Sequence, residues 1–392
     1  MAAARIDLTP DLRLGGGALA DLPDALARLG ARRPLIVSDC IMAELGYVAR
    51  VEALLREAQL HSGLFLDTVP EPTVACVDEC VSAFRDGDFD ALIALGGGSA
   101  IDVAKAVSAL VAAGGVMRDL KVPHIIAPGG APVIAIPTTA GTGSEVTRAT
   151  VITDAETDEK MLCMGPGLMP AVAIVDYELT LSLPPRTTAD TGIDALTHAI
   201  EAYVSRKANA FSDAQALGAM RLLAPNLRPV FENGDDRKAR AAMMSGATLA
   251  GMAFSNASVA LVHGMSRPIG AFFHVPHGLS NAMLLPAITR WSIPAATARY
   301  AECARAMGLV LAGTDDEAAC EALVVELEAL NRDLDVPTLQ VFGVEEARFA
   351  SVIDIMAEQA EASGSPGNNP RIPSREEMAD LYRGIWQAGA SA

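Results

Sequence analysis

Six histidines occur in this 392-residue chain, and four of them, His198, His263, His274 and His277, crowd into one stretch of 80 residues. In Asp194-Ala-Leu-Thr-His198 an acid and an imidazole lie four apart, which puts both on one face of a helix. His263 and His277 follow, 14 residues apart, around Pro268 and a Pro276-His277-Gly278 turn. One carboxylate oxygen and three imidazole nitrogens suit a divalent transition metal. The same residues could instead form a helix-surface pair and a set of helix caps, because only a fold can bring them together.

A second set of residues suits a phosphate. Asp90 to Lys105 reads as a buried strand, a glycine turn at Gly96, Gly97 and Gly98, and a helix opened by Ser99. Glycines let phosphate oxygens approach backbone N–H groups, and a helix N-terminus adds partial positive charge. A tight strand-to-helix turn with a serine cap would give the same residues, and the G-x-G-x-x-G fingerprint is absent. Asp39, after the apolar run from Pro34, stands where an acid accepts hydrogen bonds from an adenosine ribose and repels a 2′-phosphate, or where it caps the next helix. Pro137 to Thr147, rich in hydroxyls, is either a loop that wraps a cofactor or a polar turn.

The elements that must carry these residues change in texture along the chain. Up to about residue 180, short apolar runs at Pro34–Asp39, Gly63–Asp67, Ala91–Leu95, Val133–Ile136 and Ala171–Val175 alternate with helix-like pieces at Ala18–Leu29, Ile41–Gln59, Val74–Phe84 and Ala100–Ala112. Strands that are apolar without alternation predict a parallel sheet covered on both faces. Beyond Pro184 come long Ala-, Met- and Leu-rich segments, Thr187–Ser205, Ser212–Leu223, Asp236–Val262, Ala295–Met307 and Asp315–Leu330, which predict an all-helical second domain. The expected division is 1–184 and 185–392, because Pro184 and Pro185 stop one element and a threonine can cap the next.

Composition removes several other classes. With 48 acidic against 30 basic residues the net charge is −18, so nucleic acid or an anionic membrane is not an expected partner. Six scattered cysteines without C-x-x-C spacing argue against a disulfide framework and fit a reducing cytoplasm. The N-terminus carries charges at Arg5, Asp7, Asp11 and Arg13 and has no apolar stretch of signal-peptide length. Val122–Ser144 and Ala241–Ser266 exceed the roughly 20 residues that span a bilayer. Four prolines interrupt the first, and the small and polar residues of the second predict a helix buried in a protein core.

Taken together, GGGSAIDVAK at 96–105, PTTAGTGSEVT at 137–147, GIDALTHAIEAYVS at 192–205 and LVHGMSRPIGAFFHVPHGLSNAMLLP at 261–286 resemble the iron-containing (group III) alcohol dehydrogenase family over nearly the whole chain. The resemblance implies a dehydroquinate synthase-like architecture, with an α/β dinucleotide-binding domain, an all-α metal-binding domain and a cleft between them. It implies NAD as cofactor and a divalent metal, Fe2+ in the first place and Zn2+ as an alternative, held by Asp194, His198, His263 and His277. Gly97, Gly98 and Ser99 match the pyrophosphate loop of the family, and Asp39, Thr138, Thr139 and Lys160 match its cofactor-contacting positions.

The implied activity is transfer of hydride between an alcohol and NAD, the metal lowering the pKa of the substrate hydroxyl. The implied partners are a small alcohol or aldehyde, including hydroxy acids and semialdehydes, and a second copy of the chain in a dimer. A maleylacetate reductase-type or glycerol dehydrogenase-like activity is the alternative on the same architecture. His277, Arg267 and His274 are the candidate catalytic residues. Two departures from the family stand out: Arg267 replaces a histidine of HGMAHPLG, and Glu71-Pro72-Thr73 replaces NPT. His274 stands where many relatives carry Asn.

Overall fold

The computed structural model describes residues 4–157 and 159–390, which separate into two compact units, Ile6–Leu183 and the chain from Pro184 onward. The N-terminal unit contains β1 (Asp11–Leu14), β2 (Pro34–Val37), β3 (Gly63–Phe65), β4 (Ala91–Gly96), β5 (Val133–Pro137), β6 (Ala149–Asp154), β7 (Glu159–Met164) and β8 (Val172–Val175). Six of these form a sheet in the order β1-β8-β5-β4-β2-β3, every pair parallel. Its central strands β2, β4, β5 and β8 are buried at every position because successive side chains feed opposite cores. Leu35, Val37, Leu92, Ala94, Val133 and Ala135 enter one cluster, whereas Ile36, Ile93, Leu95, Ile134 and Ile136 enter the other.

Three strands go beyond the five expected ones. β1 escapes an apolar-run criterion because its Asp-Leu-Arg-Leu pairs with β8 at the sheet edge and is only half buried. β6 and β7 form a separate antiparallel pair. The expected helix over Ile41–Gln59 is two helices, Cys40–Glu44 and Tyr47–Glu57, divided at Gly46, whose φ of 78° ends the first.

From Pro184 on, the described residues contain helices and no strand. The Pro185–Val204 helix is buried over most of its length and contacts the Ala210–Glu232, Arg237–Ala257 and His277–Ser292 helices. The uncharged 241–266 stretch is not one helix. It is divided between Arg237–Ala257 and Leu261–Phe273, bent by 103° about a break at Ser258, which has φ 69°. No single helix among the described residues is long and apolar enough to cross a membrane. The bend is fastened by Glu201, whose carboxylate accepts the N–H groups of Ala260 at 3.0 Å and Val262 at 2.6 Å. It brings His263 into the first turn of a new helix, whereas the sequence predicts one helix over Asp236–Val262 with His263 just beyond it.

Candidate active site

In the sheet, the connection after β2 runs outward to β3, whereas β4 returns on the other side of β2. That reversal leaves a crevice at the C-terminal ends of β2 and β4, where open α/β sheets bind ligands. Asp39 follows β2 and the glycine turn follows β4, so both flank it. Gly96 needs its glycine: it has φ 153°, and a Cβ there would lie 3.0 Å from the Ala100 Cβ. Ser99 does not open the helix. Gly97 is the N-cap of Gly98–Ala113 and has no side chain to cap with, so the first N–H groups of this helix are left for an outside acceptor.

Asp39 is a helix cap. One carboxylate oxygen accepts the Met42 N–H at 2.9 Å as a helix cap, and the other faces Gly96. Thr138 donates its N–H to the Gly96 carbonyl at 2.9 Å, and Thr139 lies beside Gly97. Lys160, on β7, donates to Glu71 Oε1 at 2.6 Å and is thereby held in an ion pair. Glu71 has φ 53°, a left-handed conformation that Asn adopts far more readily than Glu, which gives a physical reason for the Asn of relatives.

The metal-ligand candidates converge in the helical unit. The Pro185–Val204 helix carries Asp194, His198 and Glu201 along one face; the Leu261–Phe273 helix brings His263 and the His277–Ser292 helix brings His277. Gly278 lets that last helix approach, since a Cβ there would lie 2.3 Å from the Asp190 carbonyl oxygen. Asp194, His263 and His277 each offer one ligand atom, all within 4.8 Å of one another. Asp194 Oδ1 lies 3.4 Å from His263 Nε2, 3.8 Å from His277 Nε2 and 3.9 Å from His198 Nε2. A tetrahedron of bonds of about 2.1 Å has edges of about 3.4 Å, so the spacing of Asp194 from His263 and His277 suits a divalent transition metal, and His198 stands outside that group of three. His198 stacks on His263 with ring centroids 4.4 Å apart and on Phe254 at 4.2 Å, which fixes its ring at the rim of the cluster.

Asp194 is held as a carboxylate. Burial alone would raise Asp194, but His198, His277 and His263 outweigh it and hold the carboxyl well below the usual carboxylate range. Burial alone would lower His263, yet Glu201 and Asp194 push it up to about 9. Glu201 Oε2 lies 2.6 Å from His263 Nδ1 and accepts its proton, so that Nε2, which faces Asp194, is the nitrogen left to take a metal in place of its own proton. His277, with 40% of its side chain exposed, is the open member of an otherwise buried group.

The two remaining candidates occupy different settings. His274 is exposed and ends the Leu261–Phe273 helix in a left-handed conformation, φ 55°, its N–H donating to the Gly270 carbonyl. Asn is favoured at such a cap, so the residue of relatives and this histidine both fit the backbone. Arg267 lies one turn beyond His263 on the same helix, partly buried, and donates from Nη1 to Ser365 Oγ at 3.0 Å.

Three functional side chains escaped the sequence reading. Glu201 lies three residues after His198 and seven after Asp194, a helical spacing that could have revealed it. Asn281 follows His277 by four, and its Nδ2 stands 2.7 Å from Asp194 Oδ1, 3.1 Å from His263 Nε2 and 3.3 Å from His277 Nε2. Lys105, fully buried, donates to carbonyl oxygens of Ser144, Thr147 and Ala149 at 2.6 to 3.0 Å, while Asp102 accepts from Ser144 Oγ and the Val151 N–H. These two charges, three apart on an apolar helix, clamp the Pro137–Thr147 loop beside the glycine turn.

A glycine turn at the switch point of a parallel sheet, with a buried carboxylate–imidazole cluster in a helical unit, defines a dinucleotide-binding, metal-dependent class of protein. Residues 9–177 match the family model described as iron-containing alcohol dehydrogenase, and residues 188–386 match that of the Fe-containing alcohol dehydrogenase family, C-terminal. The chain belongs to the iron-containing alcohol dehydrogenase family. It is 41% identical over 356 residues to long-chain-alcohol dehydrogenase 1 of Geobacillus thermodenitrificans, covering 90% of each chain. It is 37% identical over 388 residues to lactaldehyde reductase of Escherichia coli, covering 98% of this chain and 100% of that one. The solved structure of 1,3-propanediol oxidoreductase superposes with a TM-score of 0.94 at 33% identity, over 98% of this chain and 100% of the other. The chain is thus a metal-dependent, NAD(H)-linked oxidoreductase of an alcohol and aldehyde pair.

Proposed function

We propose that Asp194, His198, His263 and His277 hold one divalent metal, Fe2+ in the first place, and that residues 1–184 bind NAD while 185–392 carry the metal. The observation that carries this reading is the approach of three imidazole nitrogens to within 3.4 to 3.9 Å of one buried carboxylate oxygen. A cation bound there supplies Lewis-acid charge to the oxygen of an alcohol or aldehyde, and the nicotinamide supplies the hydride chemistry. The side chains do the rest. Glu201 holds His263 in the tautomer that offers Nε2, and His277 lies on the side open to solvent, where the substrate oxygen and its proton meet water. The uncapped N-terminus of the Gly98–Ala113 helix takes the pyrophosphate, and Thr138 and Thr139 line the turn beside it. Pairing of two copies is supported by the edge strand β1, where Leu12 is 36% and Leu14 49% exposed.

The test is metal removal. Protein purified without oxygen and stripped with a chelator is expected to lose turnover of every alcohol, followed as NADH absorbance, and to regain it at one Fe2+ per chain. Full activity in the stripped protein would sink the assignment. Zn2+ fits the same donors, and repletion with each ion separates the two.

Asp39 supports a preference for NAD over NADP, because its free oxygen would meet a 2′-phosphate as an unpaired like charge. Asn caps a helix as well as Asp. Asp39→Asn is therefore expected to keep the fold and to raise the NADP-to-NAD ratio of kcat/KM by about tenfold. A wild-type enzyme at least as efficient with NADP would remove the basis for this preference.

A further inference from the structure

Arg206, Arg221, Arg332 and Arg348 of the helical unit are exposed, whereas Arg267 is half-buried. Arg228 pairs with Glu326 and Asp333, Arg299 with Asp213, and Arg305 with Asp316, whereas no carboxylate among the described residues lies within ion-pair distance of Arg267. Its one hydrogen bond goes to the neutral hydroxyl of Ser365, a residue held against this helix by the packing of Pro366 on Gly264. The acid whose charge acts on it is Glu201, whose two oxygens are already taken by Ala260, Val262 and His263. No nitrogen of Arg267 is at once sealed from solvent and without a partner, and the side chain is half-buried. A guanidinium offers five donors in a planar fork, and here one is used.

Its position gives those donors a purpose. Residues four apart on a helix share a face, with Cβ atoms about 5–6 Å apart, so Arg267 extends along the same side of the helix as His263. We propose that Arg267 is a carboxylate-binding site beside the metal cluster, and that the preferred substrate is a short hydroxy acid, or the matching aldehyde acid, rather than a neutral alcohol. This rests on the proposed reading of the metal site. A substrate with its carbinol at the cluster and its carboxylate on the guanidinium needs only a few carbons between the two. The carboxylate is recognised by paired N–H···O bonds and is unchanged by the reaction. At the other end the carbinol carbon gives its hydride to NAD+ and the hydroxyl gives its proton to solvent, leaving a carbonyl, NADH and one H+.

The test compares 4-hydroxybutanoate with 1-butanol, first as substrates of the metal-loaded enzyme and then as ligands by isothermal titration. The wild type is expected to favour 4-hydroxybutanoate in kcat/KM by about tenfold or more, with the difference lying mainly in KM. Arg267→Gln is expected to collapse that ratio and the matching difference in Kd, and Arg267→Lys, which keeps the charge without the fork, to leave an intermediate ratio. Equal efficiency for the two substrates in the wild type, or an unchanged ratio in Arg267→Gln, overturns the proposal while leaving the alcohol dehydrogenase reading intact. If neither compound is oxidised but Arg267-dependent binding of 4-hydroxybutanoate persists, the proposal for Arg267 stands and the reading of the reaction falls.

Discussion

Replacing His263 by alanine is expected to abolish alcohol oxidation and to leave the purified protein without its metal, while NAD still binds. His263 Nε2 is one of the atoms that converge on Asp194 Oδ1, and its ring also anchors the stack with His198. Losing a direct ligand should therefore cost more metal affinity than the roughly 10- to 100-fold that follows from losing an outer partner. The glycine turn and Asp39 belong to the other unit, so nucleotide affinity is the internal control. The variant also leaves one Glu201 oxygen short of a partner, a loss of about 1–3 kcal/mol that thermal unfolding would report. Wild-type metal content and turnover in His263→Ala would remove these residues from the metal site.

Glu201→Gln carries the second large expectation. The carboxylate caps the start of the Leu261–Phe273 helix and fixes the His263 tautomer, so an amide of nearly the same shape loses the charge while keeping much of the packing. Metal affinity is expected to fall by about 10- to 100-fold. A readout independent of activity is the titration of His263 in metal-free protein: Glu201 is the largest influence raising it to about 9, and the variant should bring it down toward the ordinary imidazole range. The sign of the linked stability follows. With a folded pKa above the unfolded one, the protonated pair stabilises metal-free wild type fully below about pH 6.5, and that contribution is lost as the pH rises through about 9. A Glu201→Gln protein whose metal affinity and stability profile match the wild type would reduce Glu201 to packing.

Much of the site was legible in linear order because chemistry-bearing residues fall in short segments. The turn from Gly96 to Ser99 and the Asp194–His198 pair are each local, and local spacing determines which side chains share a turn or a helix face. Apolar runs such as Leu92–Leu95 foretold a doubly covered parallel sheet for the same reason. β1 is invisible to an apolar-run reading, because its half-buried side chains, Asp11 and Arg13, are charged and pair with each other while its leucines are the exposed ones. The β6–β7 pair was missed because its strands alternate between buried and half-buried residues beside hydroxyl-rich segments that read as a turn.

What the sequence by itself determined is the inventory: a dinucleotide turn, a set of imidazoles with one carboxylate, and an order of elements that admits two units of different class. What only the tertiary structure decided is which partners those groups take. The break at Ser258 cannot be read locally, since it depends on a carboxylate 57 residues earlier accepting the N–H groups of Ala260 and Val262. Asp39 caps a helix and faces the glycine turn at once, and Lys160 is paired with Glu71 across 89 residues. Arg267 could have met a helix carboxylate, and it met a hydroxyl. Side-chain partners come from residues far apart in the chain, and the free energy of burying or pairing a charge is set by that assembled environment rather than by the neighbours in sequence.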